Sequence, residues 1–163
     1  MTSLSDRRSD WASFVQAAPG VVDALGMLGK AIDDSGLEKQ LTELLKLRAS
    51  QLNGCAFCLQ FHLNLARKIG LEQAKIDLVA TWRDAGVFSA RERAALAWTE
   101  TLTLMAQQQV TETQYAELQA AFTESEIAFL TSAVAAINAW NRIAGALQFS
   151  PPIPKKQVTG SAK

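Results

Sequence analysis

The stretch ELLKLRASQLNGCAFCLQFH, from Glu43 to His62, decides how this 163-residue chain folds and where its reactive side chains lie. It contains both cysteines, Cys55 and Cys58, and the only histidine of the protein. An Asn-Gly pair at positions 53 and 54 divides it, and such a pair is a signal for a turn and for the start of a helix. The sequence therefore predicts an αα-hairpin with its reactive groups just after the turn.

Spacing places the three reactive side chains on one face of the second helix. Cys55 and Cys58 are three residues apart and Cys58 and His62 are four apart, and such pairs share a helix face. The free N–H groups and the dipole of a helix N-terminus favour a thiolate in the first turn. His62, one turn further on, can accept the Cys58 proton or bond its thiolate. Oxidation can join the two cysteines in a disulfide.

Two other interpretations of these side chains stay open at this point. Free cysteine often behaves as a small apolar residue, so both thiols can be plain core. Cysteine and histidine are also zinc ligands, but no second ligand cluster accompanies them and one helix alone closes a tetrahedral site poorly.

The helix before the turn supplies a candidate carboxylate. Apolar residues recur at helical spacing from Leu37 to Leu52. At ~1.5 Å rise per residue, Glu43 and His62 lie about 15 and 14 Å from Asn53, so antiparallel packing puts them at the same height. A carboxylate there would orient His62 for proton transfer. Glu43 nevertheless falls off the apolar stripe of its own helix. Periodicity alone therefore favours a solvated charge unless another helix or subunit covers it.

The rest of the chain predicts an all-α bundle in a single domain. Ser89 with Glu92, Thr111 with Gln114 and Thr123 with Glu126 form capping-box patterns. Further helices are predicted over residues 21–31 and 71–81, from 89 to about 107 and from 123 to about 145, and Gly70 is placed to end the cysteine helix. The expected organisation is an N-terminal helical segment (1–36), a helical core (37–149) and a Pro-containing tail (150–163).

Composition narrows the functional classes. Sixteen basic and 16 acidic residues give no net charge, and no basic patch stands out, which argues against nucleic acid as a partner. No apolar run is long enough for a bilayer, and residues 1–10 lack an apolar signal core. We therefore expect a cytoplasmic protein with no membrane partner. Two cysteines in a reducing compartment indicate redox or metal chemistry rather than a structural disulfide.

The pattern Glu, eleven residues, Cys-x-x-Cys-x-x-x-His resembles the motif of the alkyl hydroperoxidase D family, within the carboxymuconolactone decarboxylase-like superfamily. The chain matches this motif at Glu43, Cys55, Cys58 and His62 and at the Asn-Gly pair that precedes the first cysteine. The phrases at 66–70 and 88–98 are also similar to the family, so the resemblance extends between about residues 37 and 105.

The resemblance implies a thiol-dependent hydroperoxide reductase built as an all-α bundle with a catalytic hairpin. In that family Cys58 would be the attacking thiolate and become a sulfenic acid. Cys55 would protonate the leaving group and then form the disulfide, while Glu43 and His62 would relay protons. The resemblance also implies a dithiol reductant such as a lipoylated protein, no cofactor and no bound metal. It further implies a homo-oligomer, a trimer or hexamer, whose subunits cover the active-site hairpins.

Some features depart from the family or leave other functions open. Phe57 stands where well-studied members carry a histidine, and the chain has no second copy of the domain. The decarboxylase branch lacks the cysteine pair, so decarboxylation is not implied. A thiol–disulfide oxidoreductase without peroxidase activity is one alternative, and a non-catalytic redox-sensing assembly or ligand-binding module is another. The last predicted helix is apolar on more than one face, which places it centrally or under a partner.

Overall fold

A computed structural model describes residues 9–154, and all regular secondary structure within that range is helical. The elements are α1 (Trp11–Ala17), α2 (Pro19–Asp33), α3 (Lys39–Leu52), α4 (Ala56–Lys68), α5 (Gln73–Leu78) with a 3₁₀ turn (Val79–Thr81), α6 (Ala90–Thr103), α7 (Glu112–Gln119) and α8 (Glu124–Leu147). The prediction of an all-α bundle is confirmed.

Helix α3 lies at the centre of the bundle. It packs against α4, α6 and α8, and it is buried on nearly every side rather than along one stripe. Apolar residues fill most of these positions, but polar ones are enclosed too, and the buried set is Leu41, Thr42, Glu43, Leu44, Leu45, Leu47, Ala49 and Ser50. The predicted apolar stripe is therefore only part of the surface that α3 buries.

The predicted hairpin is present between α3 and α4. Asn53 closes α3, and Gly54 takes φ +64°, a left-handed conformation that suits a residue without a Cβ. Cys55 is the N-cap of α4, and its sulfur accepts a hydrogen bond from the Cys58 N–H at 3.3 Å. Gly70, with φ +76°, directly follows Ile69, the C-cap of α4, as predicted for a C′ glycine.

Three capping boxes begin α6, α7 and α8 as predicted, but some boundaries differ. Helix α2 starts earlier than expected because Pro19 occupies its first turn, where a missing N–H costs nothing. The segment 71–81 is a short helix followed by a 3₁₀ turn. Helix α6 ends at Thr103 and not near 107, because Met105 and the turns after it lie on the surface.

Helix α8 and the chain after it surround the hairpin. Helix α8 packs against α2, α3, α4 and α6, so other helices of the same chain cover its apolar faces. Beyond it, residues 150–154 run without regular structure, and the Asn64 Nδ2 donates to the Pro152 carbonyl at 2.8 Å. The remainder of the predicted tail and residues 1–8 lie outside the described range. Within residues 9–154 no single helix meets the length and hydropathy of a membrane span; the bent pair α7 and α8 does so only together.

Candidate active site

Glu43 and His62 meet across the hairpin, as their distances from the turn predict. The Glu43 Oε2 lies 2.7 Å from the His62 Nδ1, and the carboxylate is fully buried, with 0% of its surface exposed. The expectation of a solvated charge, drawn from periodicity alone, is wrong. The packing of α4 onto the polar side of α3 buries Glu43, and no second subunit is needed for it.

A lysine compensates the charge of the buried carboxylate. The Lys46 Nζ donates to the Glu43 Oε1 at 2.8 Å, and the Lys39 Nζ lies 3.5 Å from the same oxygen. Burial alone would raise the pKa of Glu43, but the hydrogen bond from His62 and the charge of Lys46 hold that pKa at about 2. Glu43 is therefore ionised at neutral pH and accepts from His62 Nδ1–H, which leaves Nε2 as the ring nitrogen that Glu43 does not bind.

The two cysteines are free thiols that share a hydrogen-bonded environment. Cys58 donates to Cys55 through its side chain and through its backbone N–H, and these bonds lower the pKa of Cys55 to about 7. The same side-chain bond, together with burial, raises the pKa of Cys58. Cys55 is therefore the thiol of the pair that ionises more readily, because it accepts the hydrogen bonds of Cys58.

The resemblance implies that Cys58 is the attacking thiolate, and the lower pKa of Cys55 means that Cys58 would have to lose its proton before it attacks. Cys58, however, is the thiol that lines the cavity beside the hairpin, together with His62 and Lys46. Within the described part of the chain no direct hydrogen bond joins His62 to Cys58; the two side chains share the wall of the cavity instead. A molecule in the cavity would lie against both of them.

The cavity is about 440 Å³ in volume, and its walls are largely apolar. Helices α1, α2, α3, α4 and α8 and the segment after α8 all contribute to it, and the lining residues are Trp11, Leu25, Gly29, Ile32, Lys46, Phe57, Cys58, Phe61, His62, Ala136, Ile137, Trp140 and Pro152. A cavity of this size and lining is typical of a site for a small organic molecule.

Aromatic side chains cover the cavity from the N-terminal side. The Trp11 ring is stacked on Phe57, with ring centroids 6.0 Å apart, and lies 5.7 Å from the Trp140 ring. Phe57 also contacts Phe149 edge-on at 5.3 Å. The residue that replaces the histidine of the resembling family therefore belongs to an apolar wall and carries no proton.

Three further residues of the site escape the sequence motif. Lys46 follows Glu43 by three residues, and that spacing is the signal that could have found it. Trp11 lies on a short helix far from the hairpin in sequence, and no local pattern reveals it. Asn141 falls on the apolar face of α8, between Ile137 and Ala144, and a polar residue on such a face is a signal of a buried contact. Between residues 9 and 154, no three His, Cys, Asp or Glu side chains converge as a metal site would require.

The fold and site thus define an all-α protein with a buried dithiol and a carboxylate–histidine pair at one apolar cavity. A model of the carboxymuconolactone decarboxylase family matches residues 15–101 of the chain. The chain belongs to this family, and the likeness to proteins of the alkyl hydroperoxidase D type is confirmed.

Known proteins resemble the chain over most of its length. YdfG of Bacillus subtilis, an uncharacterised protein, is 32% identical over 139 residues, which cover 85% of this chain and 95% of YdfG. A crystal structure from Agrobacterium tumefaciens, of unknown function and suggested to be an antioxidant defence protein AhpD, is 36% identical. It has a TM-score of 0.85 and the match covers 91% of this chain and all of that one.

The same fold also carries other chemistry. The debrominase Bmp8, crystallised with 2,3,4-tribromopyrrole, is 20% identical with a TM-score of 0.74, covering 82% of this chain and 72% of Bmp8. At this identity the likeness shows the fold alone, so the reaction of this chain has to be argued from its own site.

Proposed function

We propose that this protein is a thiol-dependent hydroperoxide reductase in which Cys58 attacks the peroxide and Cys55 forms the disulfide. One observation carries the proposal: Cys58 and His62 line the same apolar cavity, while Cys55 and Glu43 lie behind them as their respective partners. A reacting molecule in the cavity would meet a thiol and an imidazole, each connected to a group that can hold charge.

The resting charge on Cys55 is compatible with attack by Cys58. Movement of the Cys58 proton along its hydrogen bond to Cys55 makes Cys58 the thiolate and Cys55 the thiol. The Cys58 sulfur then attacks the terminal peroxide oxygen, so that an S–O bond forms and the O–O bond breaks. The alkoxide takes a proton from Cys55 or from His62 and leaves as an alcohol.

The second step forms the disulfide. Cys55, again a thiolate, attacks the sulfur of the Cys58 sulfenic acid, and hydroxide leaves and is protonated to water. The peroxide has gained two electrons and the two thiols have lost them. A dithiol reductant, which we propose to be a lipoylated protein as in the resembling family, then returns both cysteines to thiols. We also propose a homo-oligomer, a trimer or hexamer, on the same ground.

The relay residues have separate tasks in this scheme. The ionised Glu43 keeps the His62 Nδ1–H as a donor, so Nε2 is the nitrogen that exchanges a proton in the cavity. Lys46 keeps Glu43 ionised despite burial. The apolar walls favour an organic hydroperoxide over hydrogen peroxide, because burial of an apolar body adds binding free energy of about 25 cal/mol per Å².

Two functions compete with this proposal. A thiol–disulfide oxidoreductase would use the same cysteines without rapid reaction with peroxide. A redox-sensing or ligand-binding module would use the cavity and change only its oxidation state. These alternatives differ from the proposal in the rate at which Cys58 is converted to a sulfenic acid.

The deciding experiment treats reduced wild type, Cys55→Ser and Cys58→Ser with cumene hydroperoxide and, separately, hydrogen peroxide. A sulfenic-acid trap and mass spectrometry locate the product. We expect rapid trapping on Cys58 in Cys55→Ser, a Cys55–Cys58 disulfide in wild type, and faster reaction with cumene hydroperoxide. Cys58→Ser should react at the rate of an ordinary thiol.

Each other outcome points away from the proposal. Rapid trapping on Cys55 in Cys58→Ser would exchange the two roles. Oxidation of every variant no faster than free cysteine at the same pH would remove the peroxidase, and disulfide exchange with a lipoyl dithiol would then separate the remaining two functions.

A further inference from the structure

A buried carboxamide that the proton relay does not use lies beside the two thiols. Asn141, in the C-terminal half of α8, is 3% exposed. Ile137 and Ala144, four residues before it and three after it, pack with Cys55 and Cys58 in one buried cluster. Residues at this spacing share a helix face, so Asn141 belongs to the surface of α8 that meets the dithiol.

Two hydrogen bonds fix the orientation of this carboxamide. Its Oδ1 accepts from the Asn53 Nδ2 at 2.8 Å, and its Nδ2 donates to the Ser50 Oγ at 3.1 Å. The amide nitrogen carries two hydrogens, so one remains for an acceptor beyond Ser50. Asn53, which precedes the cysteines at the turn, thus acts on the site through Asn141.

We propose that Asn141 is a catalytic residue of the dithiol site, whose remaining Nδ2–H donates to whichever cysteine sulfur carries the negative charge. The inference deepens the proposed thiol chemistry and rests on it. The ring of contacts from Asn53 and Ser50 holds the donor in place before the charge arrives, so no reorganisation is needed when it does.

The effect of Asn141 on the thiols agrees with this role. Its side chain lowers the pKa of Cys55 and opposes the rise in the pKa of Cys58, so it favours the anionic form of both. A donor within reach of both sulfurs helps the pair at rest, with the charge on Cys55, and also after the proton has moved and Cys58 is the thiolate.

The test measures the pH dependence of alkylation by iodoacetamide, with mass spectrometry to resolve the two sites. The variants are Asn141→Ala and Asn141→Leu, the second to exclude a water that could replace the amide. Asn138→Ala is the matched control, since Asn138 also accepts from Asn53 and lies one turn earlier on α8. We expect an inflection near pH 7 for wild type, from the pKa of Cys55. Both Asn141 variants should shift it upward by about one unit and slow alkylation at pH 7 about fivefold.

A shift in Asn138→Ala as large as in the Asn141 variants would mean that disturbed packing of α8 is the cause and would overturn the inference. An unchanged inflection in folded Asn141→Ala and Asn141→Leu would also overturn the inference. Asn141→Val removes the donor without adding a charge and fills more of the space than alanine does. It should shift the inflection upward as well, and it decides the matter if the other two fail to fold.

The peroxide reaction separates this inference from the proposed function. A wild-type inflection near pH 7 that the Asn141 variants shift, combined with no rapid reaction with peroxide, would remove the peroxidase and leave the role of Asn141 at the thiols. Rapid peroxide reduction by wild type, combined with an unshifted inflection in the Asn141 variants, would support the peroxidase and overturn the role of Asn141.

Discussion

Glu43 is the residue whose burial depends most on charged partners. It is enclosed between α3 and α4, with His62 on one oxygen and Lys46 on the other. Removing the negative charge leaves both partners without their counter-ion in a place that water reaches poorly. The contacts of the Glu43 carboxylate with His62 and Lys46 therefore contribute to the free energy of unfolding as well as to the site.

Glu43→Gln should lower the free energy of unfolding at pH 7 by on the order of 2 kcal/mol. The folded-state pKa of Glu43 lies below its ordinary value of 4.5, at about 2. Its stabilising effect is therefore complete above pH 4.5 and disappears as the pH falls towards 2. Urea unfolding of wild type and variant at several pH values should show a difference that narrows with acid.

Glu117→Gln is the control: it removes the same negative charge from an exposed position on α7. It should change the free energy of unfolding little at any pH. A difference between wild type and Glu43→Gln that stays constant from pH 7 to pH 3 would contradict the lowered pKa.

The sequence predicted the partners of Glu43 better than its burial. Counting residues from the turn placed Glu43 level with His62, because helical rise is nearly constant. The apolar stripe of α3 placed Glu43 in solvent, because periodicity within one helix does not show how many other helices surround it. Asn141 was missed for a related reason: it is 86 residues from Cys55 in sequence, and only the packing of α8 onto the hairpin brings them together.

At the scale of the element, capping boxes predicted where α6, α7 and α8 start and Gly70 predicted where α4 ends, but the end of α6 was predicted wrongly. Ser89, Thr111 and Thr123 each form the two reciprocal bonds of a capping box, which are local and depend on four residues. The end of α6 has no comparable signal, since the helix stops where its side chains leave the core. The starts of α6, α7 and α8 therefore follow from local sequence, whereas the end of α6 depends on tertiary contacts.

Thr123→Ala should separate the stability of α8 from the chemistry of the site. Thr123 caps the start of α8, and Asn141 lies five turns away on the same helix. Loss of the cap should cost about 1 kcal/mol. The pH profile of thiol alkylation should remain as in wild type, because the end of α8 that meets the cysteines is held by Asn53 and Ser50.

Chemical denaturation and the alkylation profile, measured on the same preparation, check both parts. Ser132→Ala, within α8, controls for the loss of a hydroxyl whose bond is to its own helix, and it should change stability by less than the cap does. A shifted alkylation profile in Thr123→Ala would show that the ends of α8 are linked more tightly than the contacts indicate.

At the scale of the whole molecule, α3, α4 and α8 build the site, and residues near both ends of the described range cover it. Helices α3 and α4 supply the relay and the thiols, and α8 closes the far side. Trp11 from α1 and Pro152 from the segment after α8 then line the cavity from outside. The ends of the described range are themselves joined, since the Ser9 N–H donates to the Leu147 carbonyl at 3.2 Å.

Helix α1, which covers the cavity on the N-terminal side, makes few buried contacts with the rest of the protein. No residue of α1 is buried, and Trp11 is 40% exposed although its ring contacts Phe57 and Trp140. Trp11→Ala should therefore widen the approach to Cys58 at a modest cost in stability, about 1 kcal/mol for the lost ring contacts.

Reagents of two sizes measure that approach. The rate of alkylation of Cys58 by a bulky maleimide, divided by its rate with iodoacetamide, should rise several-fold in Trp11→Ala, since only the larger reagent is hindered by the ring. Met27→Ala, on an exposed position of α2 outside the cavity lining, should leave the ratio unchanged. An unchanged ratio in Trp11→Ala would mean that reagents reach Cys58 by another route, past Pro152 or between α2 and α8, and the N-terminal helix would then have no part in access to the thiol.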